Sequence, residues 1–204
     1  MPNTTSSFGS HILKPLPFDP KSLHGLSERL VTSHWENNYG GAVRRLNTIE
    51  LRLAELDWTT APVFTVNGLK REELIAMNSV VLHGVYFESL GASEPATAFK
   101  AHVDKDFGGL DEWAAQFAAM GKALAGGSGW VLLCWNPHDG KLLNTWAADH
   151  TYHLAGATPI LALDMYEHSY HMDFGANAGA YVDAVMKNLS LATASAKLEA
   201  LNGQ

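Results

Sequence analysis

Apolar residues in the first half of the chain recur at the spacing of amphipathic helices. Residues 14–20 contain three prolines, which exclude helix and predict an extended arm. A helical pattern starts at residue 21 or 22 and continues toward residue 57, and a second one covers about residues 70–90. The simplest connection makes these two long helices antiparallel. Gly40-Gly41 is a point at which the first helix could bend.

The second half of the chain changes to a shorter period. Helices are predicted over residues 110–124, 178–191 and 193–201. Three apolar segments read as strands of a small sheet, the first two joined by a turn that ends in Asp-Gly: residues 130–135, 142–147 and 159–164. The expected fold class is α+β: an N-terminal antiparallel long-helix hairpin, followed by a C-terminal domain with a three-stranded antiparallel sheet flanked by helices.

Small residues and a turn between Gly91 and Pro95 mark a candidate domain boundary. We expect residues 1–95 to form an N-terminal helical hairpin domain and residues 96–204 to form a C-terminal α/β domain. The chain has 204 residues, of which 47% are hydrophobic and 17% charged. A chain of this length and composition buries a core without needing disulfides or metals to fold.

The charge balance argues against several classes of partner. The chain has 14 basic and 21 acidic residues, a formal charge of −7 and no basic cluster, so neither nucleic acid nor an anionic membrane is an expected partner. The single cysteine, Cys134, excludes an intramolecular disulfide and a multi-cysteine metal site. No apolar run approaches 18 residues and no signal-peptide pattern is present, so we expect a cytoplasmic protein.

Four of the ten histidine and acidic positions with suggestive spacing could form a metal site. Asp164 ends an apolar strand and His168 follows four residues later, so a helical turn there would project both to one side. His34 and His83 lie within the two long helices and could face each other. Nitrogen and carboxylate ligands without thiolate favour iron or manganese, with zinc possible. The alternative is a capping aspartate and hydrogen-bonded core histidines.

Several motifs are shared with a known family over nearly the whole chain. Gly127-Ser128-Gly129-Trp130 and the segment from Thr158 to Tyr170, with its Asp-x-x-Glu-His core, are the most specific. Leu16-Pro17-Phe18 and the Leu82-His83 segment are weaker matches. In these motifs the chain resembles the iron/manganese superoxide dismutases.

The resemblance implies an activity and a ligand set. His34, His83, Asp164 and His168 fall on the family's metal ligands, between the two expected domains, with one iron or manganese ion per subunit. The implied reaction disproportionates superoxide to dioxygen and hydrogen peroxide. Trp130 is expected to wall the metal pocket.

The resemblance also implies assembly. Glu167 matches a residue that, in the family, bonds the metal-ligand histidine of the partner subunit across a two-fold interface. A homodimer, which could pair further into a tetramer, is therefore expected. Glu167, His168 and Tyr170 are its expected interface residues.

Around these ligands the sequence departs from the family pattern. Asn38 stands where the family has a histidine, and Ala42 where it has a gateway tyrosine. Tyr39 is not an expected substitute, because residue i+5 of an α-helix points to a different side. The glutamine that contacts the metal-bound solvent is missing from both of its usual positions, which hold Ser79 and Ala148.

Other replacements suggest compensation. Tyr166 replaces a tryptophan, and His171 replaces a tyrosine that contacts the histidine replaced by Asn38. We interpret Asn38 and His171 as a swapped polar pair. His150 or His153 could reach the side left vacant by the glutamine.

Three functional hypotheses remain open from the sequence. The first is a superoxide dismutase with altered surroundings of the metal. The second is a different metalloenzyme, whose pocket is widened by Ala42 and Ser79 and admits an organic substrate or dioxygen. The third is a protein that keeps the metal site without turnover.

Overall fold

The computed structural model describes residues 8–202. Its first long helix combines α1, a π-helical stretch and α2: Glu28–Ser33, His34–Tyr39 and Gly40–Ala54. The other helices are α3 (Val63–Glu88), α4 (Thr97–Phe107), α5 (Leu110–Ala123), α6 (His171–Phe174), α7 (Ala178–Lys187) and α8 (Leu191–Asn202). The strands are β1 (Trp130–Asn136), β2 (Lys141–Ala147) and β3 (Thr158–Asp164). Short 3-10 turns occupy Pro20–Ser22 and Glu167–Ser169.

The long-helix hairpin is held together by a small apolar cluster. Leu46, Ile49 and Leu53 of α2 pack with Ala76 of α3, as the amphipathic pattern predicts. This packing confirms the helical N-terminal half of the α+β fold. The division of the chain at residue 95 stays a prediction, and α3 packs against β3 across it.

The first helix begins later than predicted. Residues 20–22 form only a 3-10 turn, and the helix starts at Glu28 after Ser27, whose Oγ accepts a hydrogen bond of 3.0 Å from the Leu30 amide. Ser27 Oγ in turn donates to Asp173 at 2.7 Å. The predicted start near residue 21 is therefore wrong, because a serine cap outweighs the apolar periodicity that precedes it.

Two further helix predictions are corrected. Helix α3 begins at Val63, earlier than predicted, and its first residues Val63 and Phe64 are 83% and 76% exposed. Apolar residues that face outward hide the amphipathic pattern of the first two turns. Helix α4 was not predicted; Phe99 and Val103 are its buried residues, too few to produce a visible period.

The sheet has the predicted three antiparallel strands in the order β2-β1-β3. The central strand β1 is buried over its first five residues. Its first residue, Trp130, pairs with Asp164, the last residue of β3. Gly129, just before it, has φ +133° and lies so close to the Ala147 carbonyl oxygen that a Cβ would collide. This glycine brings the start of β1 to the side of Asp164.

None of the helices in the described part of the chain is long and apolar enough to cross a membrane.

Candidate metal centre

Four elements each deliver one side chain to a single buried point. His34 opens the π-helical stretch, His83 comes from α3, Asp164 ends β3 and His168 lies in the 3-10 turn that follows. One potential ligand atom from each of them lies within 4.8 Å of all the others. The structure thus brings together the four residues that the sequence analysis singled out.

The three imidazoles surround one carboxylate oxygen. Asp164 Oδ2 lies 3.1 Å from Nε2 of His34, 3.2 Å from Nε2 of His168 and 3.6 Å from Nε2 of His83. The side chains of His34, His83 and Asp164 are 2% exposed or less, whereas that of His168 is 28% exposed. The cluster is therefore buried on three sides and accessible at His168.

Two ring nitrogens in the cluster lack partners. Nε2 of His34 and Nε2 of His83 are buried and make no well-formed hydrogen bond with residues 8–202. Leaving a buried polar atom unpaired costs about 1–3 kcal/mol, so such atoms point to a missing partner. Three imidazole nitrogens and one carboxylate oxygen are a donor set that suits iron or manganese. The residues present therefore fit the metal that the resemblance implies.

Hydrogen bonds behind the cluster orient its members. Nδ1 of His83 donates to the Ser79 carbonyl at 2.7 Å, which leaves the Nε2 lone pair free for a metal. Asp164 Oδ1 accepts from the Tyr166 amide at 2.9 Å, which leaves Oδ2 facing the histidines. Tyr181 and Ser169 hydroxyls both donate to the Asp164 carbonyl at 2.8 Å. Both ends of the Asp164 residue are thus fixed.

The electrostatics favour an ionised carboxylate beside neutral imidazoles. Burial opposes ionisation of Asp164, yet the neighbouring His168 and His34 hold its pKa well below the usual range. Burial lowers the pKa of His83 to about 3 and also lowers the pKa of His34. Burial lowers the pKa of His168 too, but the Asp164 charge outweighs it and raises that pKa. Neutral His34 and His83 offer the lone pairs that a metal requires.

Tyr39 lies against the cluster, contrary to the expectation from α-helical geometry. Its ring stacks on His83, with centroids 6.1 Å apart and planes at 7°, and the residue is 3% exposed. The chain from His34 to Tyr39 is π-helical, and in a π-helix residue i+5 returns to the side of residue i. Its phenol lies 3.4 Å from a Cβ built on Gly84 and near Lys14, so it extends behind His83.

The proposed swapped pair is absent within one chain. In the described residues no hydrogen bond joins Asn38 and His171; Asn38 is half-buried and His171 is exposed. The interpretation of these two residues as a contacting pair is therefore wrong for a single chain. The reason lies in the backbone, since His171 opens α6, where its side chain faces outward.

The predicted interface residues differ in exposure. Glu167 is exposed and His168 is partly exposed, whereas Tyr170 is 2% exposed and packs on Tyr181 within its own chain. Trp130 is fully buried and its ring meets His83 edge-on at 5.1 Å.

Of the two histidines that could replace the missing glutamine, His150 lies beside the cluster. Trp130 Nε1 donates to His150 Nδ1 at 3.0 Å, and the His150 and His83 ring centroids are 6.1 Å apart. His153 instead contacts the Leu154 carbonyl. Counting back from Asp164 leads to Ala148, which is exposed, because the loop between β2 and β3 shifts the position by two residues.

A helical hairpin packed on a three-stranded α+β domain, with three histidines and an aspartate buried where they meet, defines a class of mononuclear metal proteins. Residues 95–197 match the C-terminal domain of the iron/manganese superoxide dismutases. The chain belongs to the iron/manganese superoxide dismutase family.

Curated relatives span both metals. The chain is 61% identical to a protein named iron superoxide dismutase from Cupriavidus metallidurans over 92% of this chain and 96% of that one. It is 33% identical to one of the same name from Aquifex pyrophilus, over 89% of each chain. It is 35% identical to manganese superoxide dismutase 1 of Halobacterium salinarum, over 84% of this chain and 86% of that one.

Proposed function

We propose that this chain is a superoxide dismutase that holds one iron or manganese ion per subunit through His34, His83, Asp164 and His168. The observation that carries the proposal is the convergence of these four donor atoms within 4.8 Å in a chain that is 61% identical to an iron superoxide dismutase. The reaction converts two superoxide anions and two protons to one dioxygen and one hydrogen peroxide.

When bound, iron or manganese supplies a one-electron couple, which zinc lacks, that accepts an electron from one superoxide and returns it to the next. The chain's own residues do the remaining work. The ionised Asp164 offsets positive charge at the site, and the hydrogen bond from His83 Nδ1 to Ser79 fixes the orientation of that imidazole. Both act before substrate arrives, so no reorganisation is required at the moment of reaction.

The exposure pattern indicates where superoxide enters. His34, His83 and Asp164 are closed off, whereas His168, Tyr166 and His150 are half-buried. A small anion therefore reaches the cluster along the side formed by these three rings. Ala42 and Ser79 are each 8% exposed, so neighbouring atoms cover both positions and the structure offers no support for an organic substrate there.

A homodimer is part of the proposal. His168 makes its hydrogen bond to Asp164 through Nε2, and no described residue bonds its Nδ1. Glu167 is exposed and forms no ion pair with a described residue, so it is free to reach His168 of the partner subunit. Such a contact would orient His168 as Ser79 orients His83. The cytoplasmic location is likewise a proposal, tested by cell fractionation.

The proposal is tested by measuring superoxide dismutation on purified protein whose iron, manganese and zinc are counted. We expect turnover in proportion to iron or manganese content and none from zinc-loaded protein. Full occupancy by iron and by manganese in separate samples, without turnover in either, would contradict the proposal. Apoprotein reloaded with each metal serves as the matched control.

A further inference from the structure

Three rings beside the cluster form an ordered group with no role assigned so far: Trp130, His150 and Tyr166. The His150 ring stacks on Tyr166 with centroids 4.9 Å apart and planes at 16°. Tyr166 stacks in turn on His168 at 5.4 Å and 13°. The three nearly parallel rings therefore run from a ligand histidine to His150.

The hydrogen bond from Trp130 assigns the tautomer of His150. An indole N–H can only donate, so His150 Nδ1 must accept, and the proton of the neutral imidazole resides on Nε2. Burial lowers the pKa of His150, which favours this neutral form. No hydrogen bond from Nε2 to a described residue is found. Nε2–H is thus a donor without a protein acceptor, beside the cluster.

The main chain of His150 is also fixed. Asn78 Nδ2 on α3 donates to the His150 carbonyl at 2.5 Å. Burial raises the pKa of the Tyr166 phenol to about 12, so this ring stays neutral and acts through stacking. Trp130, Tyr166 and Asn78 hold His150 from three elements of the fold.

We propose that His150 donates, through Nε2–H, the hydrogen bond to solvent on the open side of the ion that glutamine makes elsewhere in the family. The inference rests on the proposed function. Trp130 and Tyr166 are positioning residues: Trp130 selects the tautomer, and Tyr166, smaller than the tryptophan it replaces, leaves room for an imidazole.

A donor to this solvent favours its deprotonated form. Loss of the donor therefore raises the pH at which the iron(III) protein changes its visible spectrum. We expect His150→Leu to raise this midpoint by about one unit, a tenfold change in the proton equilibrium, as for the loss of one charge-assisted hydrogen bond. The midpoint potential of the iron should also rise, since the oxidised ion prefers the deprotonated solvent.

Matched variants separate the role of His150 from general damage. His150→Gln keeps a donor and should keep the spectral midpoint near the wild-type value. Trp130→Phe leaves His150 in place but frees its tautomer, so it should shift the midpoint in the same direction by less than His150→Leu. His153→Leu, in the same loop but outside the cluster, should leave the midpoint unchanged. Metal content of each variant is measured first.

The outcomes distinguish this inference from the proposed function. A fully iron-loaded His150→Leu protein with wild-type spectral midpoint and potential overturns the role of His150, whatever its activity. If His150→Leu fails to load, an unchanged midpoint in Trp130→Phe overturns it. Wild-type protein that binds iron without turnover sinks the proposed function, while the spectral shift still tests the hydrogen bond. A wild-type protein that binds neither metal overturns both.

Discussion

At the scale of single residues, the centre depends on a carboxylate buried among imidazoles. Asp164 is fully buried and touches three histidines through one oxygen. A lone buried charge costs several kcal/mol, and partners offset that cost only when the geometry is good. In the metal-free chain the histidines are those partners, and in the loaded chain the ion takes their place. One carboxylate therefore serves both states.

Replacement of Asp164 by asparagine should remove the metal while leaving the chain folded. Asparagine keeps the shape and an acceptor oxygen but loses the charge that offsets a cation. We expect Asp164→Asn to retain less than about a tenth of the wild-type iron after dialysis, since a ligand charge is worth more than one tenfold step. Elemental analysis measures this. Asp183→Asn, which alters an exposed ion pair with Lys122, is the control and should keep its metal. Equal metal in both variants would contradict the assignment.

At the scale of elements, the π-helical stretch and the N-terminal arm shape the surroundings of the centre. The π turn places Tyr39 behind His83, where an uninterrupted α-helix would have turned it elsewhere. The arm lies along α2, with both backbone groups of His11 bonded to Asn47 at 2.9 and 2.8 Å. Neither arrangement follows from the apolar pattern of its own segment.

The contribution of Tyr39 can be divided between its ring and its hydroxyl. Tyr39→Ala removes a buried ring stacked on His83, so we expect a loss of about 3 kcal/mol in the free energy of unfolding. Tyr39→Phe keeps the ring and should cost about 1 kcal/mol, the worth of one hydrogen bond. Urea titration of the metal-free protein measures both losses. If the two variants lose the same stability, the ring stacking carries no weight.

The arm should loosen at acid pH through Glu50. Its Oε2 accepts from the Gly9 amide at 2.8 Å and its Oε1 lies 2.8 Å from His11 Nε2. Burial opposes ionisation, yet these bonds lower the pKa of Glu50 below its model value of 4.5. The unfolded chain thus takes up the proton first, and the stabilisation present above pH 4.5 is lost as pH falls through the lower folded value.

Glu50→Gln provides the test of this pH dependence. The variant should lose about 1 kcal/mol at pH 7 and show a flatter stability profile below pH 5, because the titrating group is gone. Urea titrations across this range give the profile, and Glu199→Gln, an exposed position on α8, serves as the matched control. A variant profile that parallels the wild-type profile would show that Glu50 does not titrate this contact.

At the scale of the whole molecule, the centre joins two halves of the chain. His34 and His83 come from the helical hairpin, and Asp164 and His168 come from the sheet and the turn after it. Metal binding therefore ties the halves together and should stabilise the fold by mass action. The partly exposed His168 leaves one side of this junction uncovered in a single chain.

Charge reversal at Glu167 should disrupt the proposed dimer. We expect the wild-type protein to sediment as a dimer and Glu167→Lys to shift toward monomer, because a lysine cannot accept the proton of His168 of the partner subunit. Glu199→Lys makes the same charge change on α8 and should remain dimeric. A monomeric wild-type protein, or a dimeric Glu167→Lys, would contradict the proposed contact.

The sequence by itself determined the elements whose signal is local. The long helices and three strands follow from the period of their apolar residues, and the Asp164 to His168 spacing and the family motifs identify the donor residues. The structure confirms the α+β fold and brings these donors within 4.8 Å. Side-chain type and spacing were sufficient here, because burial of an apolar face and metal coordination both leave regular patterns.

Tertiary structure alone decided the features that depend on distant contacts. The π turn that places Tyr39 behind His83 leaves the residue pattern unchanged, and the first turns of α3 are exposed and carry no amphipathic signal. The choice of His150 over Ala148 depends on the path of the β2–β3 loop and on the indole of Trp130, which lies 20 residues away in sequence. Such contacts are set by packing between elements, and no local period records them.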